Sequence, residues 1–173
     1  MLIPSPLEAK SYYAGIPSSP VLVARTGTTR WKPPTGTEAD QNPKELYSVG
    51  PHPLKMAWGI ELPLKVYALL NSMNAQWNTV DVVRIGKSEP YYVPLIHYAP
   101  VILWVGVKPG TLSSSDGVVV AFKCRKLLEE NDITDVDVEI RETIVTHWPD
   151  FSTYGQSPPR SGKKKRGKKK YES

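Results

Sequence analysis

Val101-Ile-Leu-Trp-Val-Gly-Val107 is apolar at every position and stands between Pro100 and Pro109. A half-buried strand alternates with period two, and a core helix needs a longer run. An unbroken apolar stretch of this length marks a strand covered on both faces, inside a sheet. Working downstream, Lys108-Pro-Gly110 makes a turn, and Ser113-Ser-Ser-Asp116 has the spacing of a capping box, with the Ser113 side chain on the amide of Asp116. A helix then runs to about Asn131, with Val118, Ala121, Phe122, Cys124, Leu127 and Leu128 directed inward. Val136-Asp-Val-Glu-Ile-Arg141, continuing to about Val145, alternates strictly. Val136, Val138 and Ile140 face the core, and Asp137, Glu139 and Arg141 face water.

Working upstream, Thr79-Val-Asp-Val-Val-Arg-Ile85 reads as a half-buried strand. Before it, Leu54, Trp58, Leu62, Val66, Leu69, Leu70 and Met73 recur at intervals of three and four, the spacing of one helical face. Pro53 suits the first turn of that helix, and Pro63 predicts a kink or break between Gly59 and Pro63. The fold class is therefore α+β: a small two-layer sandwich, a mixed sheet of three to four strands with two helices on one face. If Pro20-Val-Leu-Val-Ala-Arg25 supplies a strand, the order completes a split β-α-β unit of ferredoxin-like type, with the Thr79 and Val136 strands at the edges. If it does not, a three-stranded sheet remains.

Ten of the 17 prolines fall within residues 1–63. Proline fixes φ and lacks an amide donor, so such clusters punctuate the chain. Residues 1–19 and 149–173 read as disordered arms. Residues 26–52 read as a long loop, residues 20–148 as the domain, and residues 53–146 as its ordered core. A composition of 40% hydrophobic and 23% charged residues lies in the globular range.

The charge is unevenly placed. The chain holds 22 Lys+Arg and 17 Asp+Glu. Arg160, Lys163, Lys164, Lys165, Arg166, Lys168, Lys169 and Lys170 belong to residues 160–173, where Glu172 is the one acid, a net of +7. The other residues hold 14 basic and 16 acidic groups, a net of −2. A near-neutral body with a polycation attached points to a nuclear import address, read by an import receptor, or to a sequence-blind nucleic-acid contact.

The lone Cys124 excludes an internal disulfide and points to a reducing compartment. Met1-Leu-Ile-Pro-Ser-Pro-Leu-Glu-Ala-Lys10 lacks the apolar run of a signal peptide, and no run approaches the about 20 residues that span a bilayer. An intracellular protein is expected, nuclear rather than cytoplasmic, with no membrane span.

Other constellations carry less chemistry. Gly106–Asp116 joins a strand to a helix N-terminus, where amides and Lys108 could cradle an anion, but Thr111 follows Gly110 where a P-loop needs lysine. His52, His97 and His147 lack metal-ligand spacing, so neither metal nor cofactor is expected. Ser113, His147 and Asp116 form a triad in name only, since triads are defined by geometry. Cys124 lies on the apolar stripe and reads as an inert thiol. Glu129, Glu130, Asp132, Asp135, Asp137, Glu139 and Glu142 read as a solvated face that shields a sheet edge, with docking of a basic partner as the sharper alternative. Tyr91, Tyr92 and Tyr98 sit between two strands, where they cover the core edge rather than stack bases.

Val80-Asp-Val-Val-Arg-Ile-Gly86, Ala99-Pro-Val-Ile-Leu-Trp-Val-Gly-Val-Lys-Pro-Gly110 and the run from Cys124 through Glu142 resemble a family of fungal proteins without an established activity. Arg25-Thr-Gly-Thr-Thr29 and Pro33-Pro-Thr-Gly36 are similar to that family's N-terminal region, so the resemblance covers roughly residues 20–146. In longer members this module precedes a faintly trypsin-like region that does not occur here, and no site residue carries over. The function expected is a non-catalytic binding or accessory module with a polybasic tail, or alternatively the N-terminal module of a serine-protease-like hydrolase, inactive alone.

Ile102→Asp or Val105→Asp, whichever side chain faces the core more fully, buries an unpaired charge and should abolish the cooperative thermal transition followed by circular dichroism. A normal transition in both variants would move the strand out of the sheet's interior.

Overall fold

The structure is a computed structural model that describes residues 3–33, 43–59, 61–87 and 99–145. The chain forms α1 (Pro6–Ser11), β1 (Val21–Arg25), β2 (Lys44–Tyr47), α2 (Pro53–Trp58), α3 (Leu62–Ser72), β3 (Trp77–Lys87), β4 (Val101–Val107), α4 (Ser114–Glu129) and β5 (Asp137–Glu142). The class is α+β, as expected. The sheet has five strands in the order β1-β5-β4-β3-β2, with β4 and β5 parallel and the other pairs antiparallel.

All seven residues of β4 are buried, as an interior strand requires. Pro53 and Pro63 each stand in the first turn of a helix, so the upstream helical pattern divides into α2 and α3 with Gly59 capping the first. At the start of α4 the Ser113 hydroxyl accepts from the Asp116 amide and donates to the Asp116 carboxylate at 2.6 Å. Val118, Ala121, Cys124 and Leu128 are buried, and Phe122 and Leu127 pack partly against the same core. Helices α3 and α4 lie on one face, closing a core with Leu103, Val105, Val138 and Ile140 of the central strands. At Gly117 an added Cβ would stand 2.8 Å from Val23 Cγ1 and 3.2 Å from Ala24 Cβ, so glycine lets α4 sit directly on β1.

Four expectations are corrected. The sheet has more than three to four strands, because Lys44-Glu-Leu-Tyr47 pairs with Arg84–Lys87 inside what reads as a loop over 26–52. The split β-α-β order does not occur: β5 lies directly beside β4, so the Val136 strand is interior and β1 takes the edge. At the opposite side β2 lies outside β3, so the Thr79 strand is interior too. Finally, Glu139 and Arg141 do not face water; each is about 5–6% exposed.

The cause of the last difference is the N-terminal segment. Residues 1–19 read as a loose arm, yet within them Ser5 caps α1 and Tyr13 and Ile16 are buried with Leu22, Ile85, Ile102 and Trp104 on the sheet face opposite α3 and α4. Gly15 makes this path feasible: its φ is +100°, and a Cβ there would overlap Pro43. Next to it, the Lys44 amide donates to the Ala14 carbonyl at 2.7 Å, fastening the segment to the start of β2. The tail, residues 149–173, lies outside the described residues.

A covering layer of this kind contributes stability that a loose arm does not. Ile16→Ala should cost about 2–4 kcal/mol in urea unfolding, as a large-to-small change in a packed core does. A loss below about 0.5 kcal/mol, the size of an exposed surface change, would show the segment to be dispensable.

Candidate functional site

The densest polar constellation lies beneath that N-terminal segment. On β5, Val138 and Ile140 point to the helices, which sends Glu139 and Arg141 to the opposite face. The Tyr12 hydroxyl donates to Glu139 Oε1 at 2.6 Å and the Tyr13 hydroxyl donates to Oε2 at 2.8 Å. Trp104 Nε1 donates to the Tyr13 oxygen at 3.0 Å. Two residues along β5, the Arg141 guanidinium lies 3.3 Å over the Trp104 ring and donates to Asp81 at 3.0 Å. Lys44 Nζ sits 3.2 Å over the Tyr12 ring, and Arg25 is paired with Glu8 at 3.0 Å.

Burial dominates the electrostatics. It pushes the Glu139 carboxyl above its ordinary range, although Lys44 and the two phenols pull the other way. It raises both phenols, with the Glu139 charge adding to the effect. Desolvation lowers the Lys44 amine to about 8, against the pull of Glu139. An acid, an amine and two phenols in one place resemble an acid–base centre. However, both Glu139 oxygens are engaged by tyrosines and the group is closed over by the segment that carries them. What this arrangement does chemically is to fasten Tyr12 and Tyr13 to the sheet.

In the loop before α4, the Gly110 amide donates to Glu142 at 2.7 Å and Thr111 Oγ1 donates to the Lys108 carbonyl, so a carboxylate of the chain itself stands where an anion would bind. His52 is the N-cap of α2: its Nδ1 accepts from the Leu54 amide, and Nε2 lies 3.2 Å from Asp135. Ser113 and Asp116 meet as a helix cap, while His147 and His97 lie outside the described residues. Cys124 is fully buried and its thiol is pushed up to about 12 by burial, which leaves it protonated and inert at neutral pH. No group of three or more His, Cys, Asp or Glu among the described residues could hold a metal.

The acidic stretch is not one solvated face. Asp137 accepts from Thr26 and Arg125, Glu129 pairs with Arg125 at 3.1 Å, and Glu139 is buried. Tyr91, Tyr92 and Tyr98 lie outside the described residues, as do Arg160, Lys163, Lys164, Lys165, Arg166, Lys168, Lys169 and Lys170. Among the described residues, no helix is long and apolar enough to cross a membrane. The Tyr12-Tyr13-Glu139-Trp104 group escaped sequence reasoning. Its one advance signal is a pair of adjacent aromatics in a proline-rich arm, beside a strand whose far face carries Trp104. No family model, curated protein or solved structure matches the chain.

The buried carboxylate gives stability a pH dependence whose sign is fixed. A folded-state pKa raised above the unfolded one means that the folded chain holds its proton more tightly. Stability is therefore fully present below the unfolded value and declines as pH rises through the folded one. In Glu139→Gln that declining segment should vanish from a plot of thermal midpoint against pH. Glu139→Leu should instead lose roughly 1–3 kcal/mol for each tyrosine hydroxyl left without an acceptor. Identical pH profiles for the parent and Glu139→Gln would mean that the carboxyl is not buried under the arm.

Proposed function

We propose that this chain is a non-catalytic binding or accessory module that is directed to the nucleus, or to nucleic acid, by Arg160, Lys163, Lys164, Lys165, Arg166, Lys168, Lys169 and Lys170. The observation that carries the reading is the separation of charge: residues 160–173 have a net charge of +7 and the rest of the chain −2. A polycation of this density displaces condensed counterions from a phosphate backbone, and it does so without reading sequence. The same run fits the acidic groove of an import receptor, for which closely spaced lysine and arginine are the recognised element.

Two features of the body support this division. Its buried carboxylate, Glu139, has both oxygens occupied by phenols. Outside residues 160–173 the net charge is −2, so long-range attraction to phosphate falls to the tail.

The test is a salt titration of duplex DNA or RNA binding by the full chain and by a full-length variant with all eight tail cations replaced by glutamine. The full chain should bind different sequences alike. Its affinity should drop by orders of magnitude between roughly 50 and 200 mM salt, with a log–log slope of about 0.7–0.9 per phosphate contact. The glutamine variant should neither bind nor concentrate in nuclei as a fluorescent fusion. Equal binding by both chains would place the contact on the fold and defeat the tail-centred reading.

A further inference from the structure

Tyr12, Tyr13 and Trp104 form a continuous run of rings from the surface to the sheet. Tyr12 is half-buried, while Tyr13 and Trp104 are 2% and 4% exposed. The Tyr12 and Tyr13 centroids are 4.9 Å apart and those of Tyr13 and Trp104 5.5 Å apart, both edge-on. Ring packing alone would hold the N-terminal segment, and at less desolvation cost than a carboxylate sealed beneath it. Glu139 nevertheless stands there, and both of its oxygens accept from phenols, as an ionised carboxylate does. A phenol that loses an electron becomes a strong acid, so a base already hydrogen-bonded to its hydroxyl lets electron and proton leave together.

Charge distinguishes the three rings. A cation over a ring face opposes removal of an electron from that ring. The Arg141 guanidinium lies 3.3 Å over Trp104, and Lys44 Nζ lies 3.2 Å over Tyr12 with the Arg25 guanidinium at 5.4 Å. Over Tyr13 the Lys44 amine stands back at 5.5 Å. The Tyr13 hydroxyl donates to Glu139 Oε2 at 2.8 Å, and its oxygen accepts from Trp104 Nε1 at 3.0 Å. A phenoxyl oxygen at that position keeps the indole donor and gains the proton held by Glu139 as a second one. Burial keeps the ring from coupling with a second chain. Tyr13 is therefore the ring where an electron deficit comes to rest.

We propose that Tyr13 is a one-electron redox site, with Glu139 as its proton acceptor and Tyr12 as its path to the surface. The oxidant is a diffusible radical of the peroxyl class. It takes one electron from Tyr13 through Tyr12 and becomes a peroxide anion, which water protonates. The Tyr13 O–H bond breaks and its proton moves to Glu139 Oε2, leaving a neutral phenoxyl radical and a protonated carboxyl. An enediolate reductant returns one electron and becomes a radical itself, and the Glu139 proton goes back to the phenol oxygen. The polybasic tail takes no part, so this reading and the tail-centred one stand independently.

In the test, the full chain is oxidised in laser flashes by a ruthenium polypyridyl photo-oxidant with a sacrificial electron acceptor. Transient absorption follows the radicals, and electron paramagnetic resonance identifies them in samples frozen after the flash. The parent should give a neutral tyrosyl radical that outlives those formed on exposed tyrosines. In deuterated buffer its oxygen should show exchangeable deuteron couplings from Trp104 and from Glu139. Tyr13→Phe, which removes only the hydroxyl, should lose the long-lived radical. Glu139→Gln should slow radical formation at least about tenfold, the kinetic equivalent of one charge-assisted hydrogen bond. Thermal midpoints establish that both variants are folded, and if Tyr13→Phe does not fold, the deuteron couplings of the parent make the assignment alone. A merely structural role for Glu139 predicts a lower midpoint with an unchanged rate. No long-lived radical in the parent, its persistence in Tyr13→Phe, a radical without exchangeable couplings, or parent-like formation in folded Glu139→Gln would each overturn the proposal. The variant with glutamine for all eight tail cations should form the radical as the parent does.

Discussion

A carboxylate buried at the middle of a sheet sets the terms for the rest of this fold. Glu139 lies on an interior strand, on the face away from α3 and α4, and its desolvation is costly unless donors are supplied. The strand itself supplies none, because its amides are committed to the ladders with β1 and β4. The donors come from Tyr12 and Tyr13, more than 120 residues away in sequence. The N-terminal segment is therefore the second covering layer of the sheet. The same contact explains why the segment is ordered at all. Its ordering entropy must be offset by burial of Tyr13 and Ile16 and by hydrogen bonds that water could otherwise have made.

How much of this is visible in the sequence depends on the range of the interaction. The β4 run, the Ser113 cap, the break before Pro63 and the inward set Val136, Val138 and Ile140 are all local patterns, and each corresponds to what the structure holds. The order of strands is not local. Whether β1 or β5 stands beside β4 is decided by long-range pairings, the one between β1 and β5 across more than 100 residues, and no periodicity encodes them. Alternation on β5 likewise separates two faces without saying whether the polar face is wet or paired. Glu139 and Arg141 are polar and enclosed, a combination that only their distant partners reveal. The short strand Lys44-Glu-Leu-Tyr47 is too brief for any pattern to declare itself, and it is held by β3 and by the Ala14 carbonyl.

The candidate sites divide along the same line. The tail is a matter of composition and needs no fold to be seen. The loop Gly106–Asp116 has the outline of an anion cradle in sequence, but only the structure shows that Glu142 from the neighbouring strand already occupies the Gly110 amide.

A division between arginine and lysine ties these observations together. Arg25 binds Glu8, Arg84 donates to the carbonyls of Val49 and Ala99, Arg125 bridges Glu129 and Asp137, and Arg141 joins Asp81 while stacking on Trp104. Each uses the planar, multiply donating fork that suits fixed partners in a partly dry setting. Lysine, a hydrated point charge on a flexible stem, serves those roles poorly and contact with a mobile or variable anionic partner well. Six of the eight cations in the tail are lysine. In this chain Arg25, Arg84, Arg125 and Arg141 fasten one element to another. The lysines of the tail are the cations proposed to meet an anionic partner.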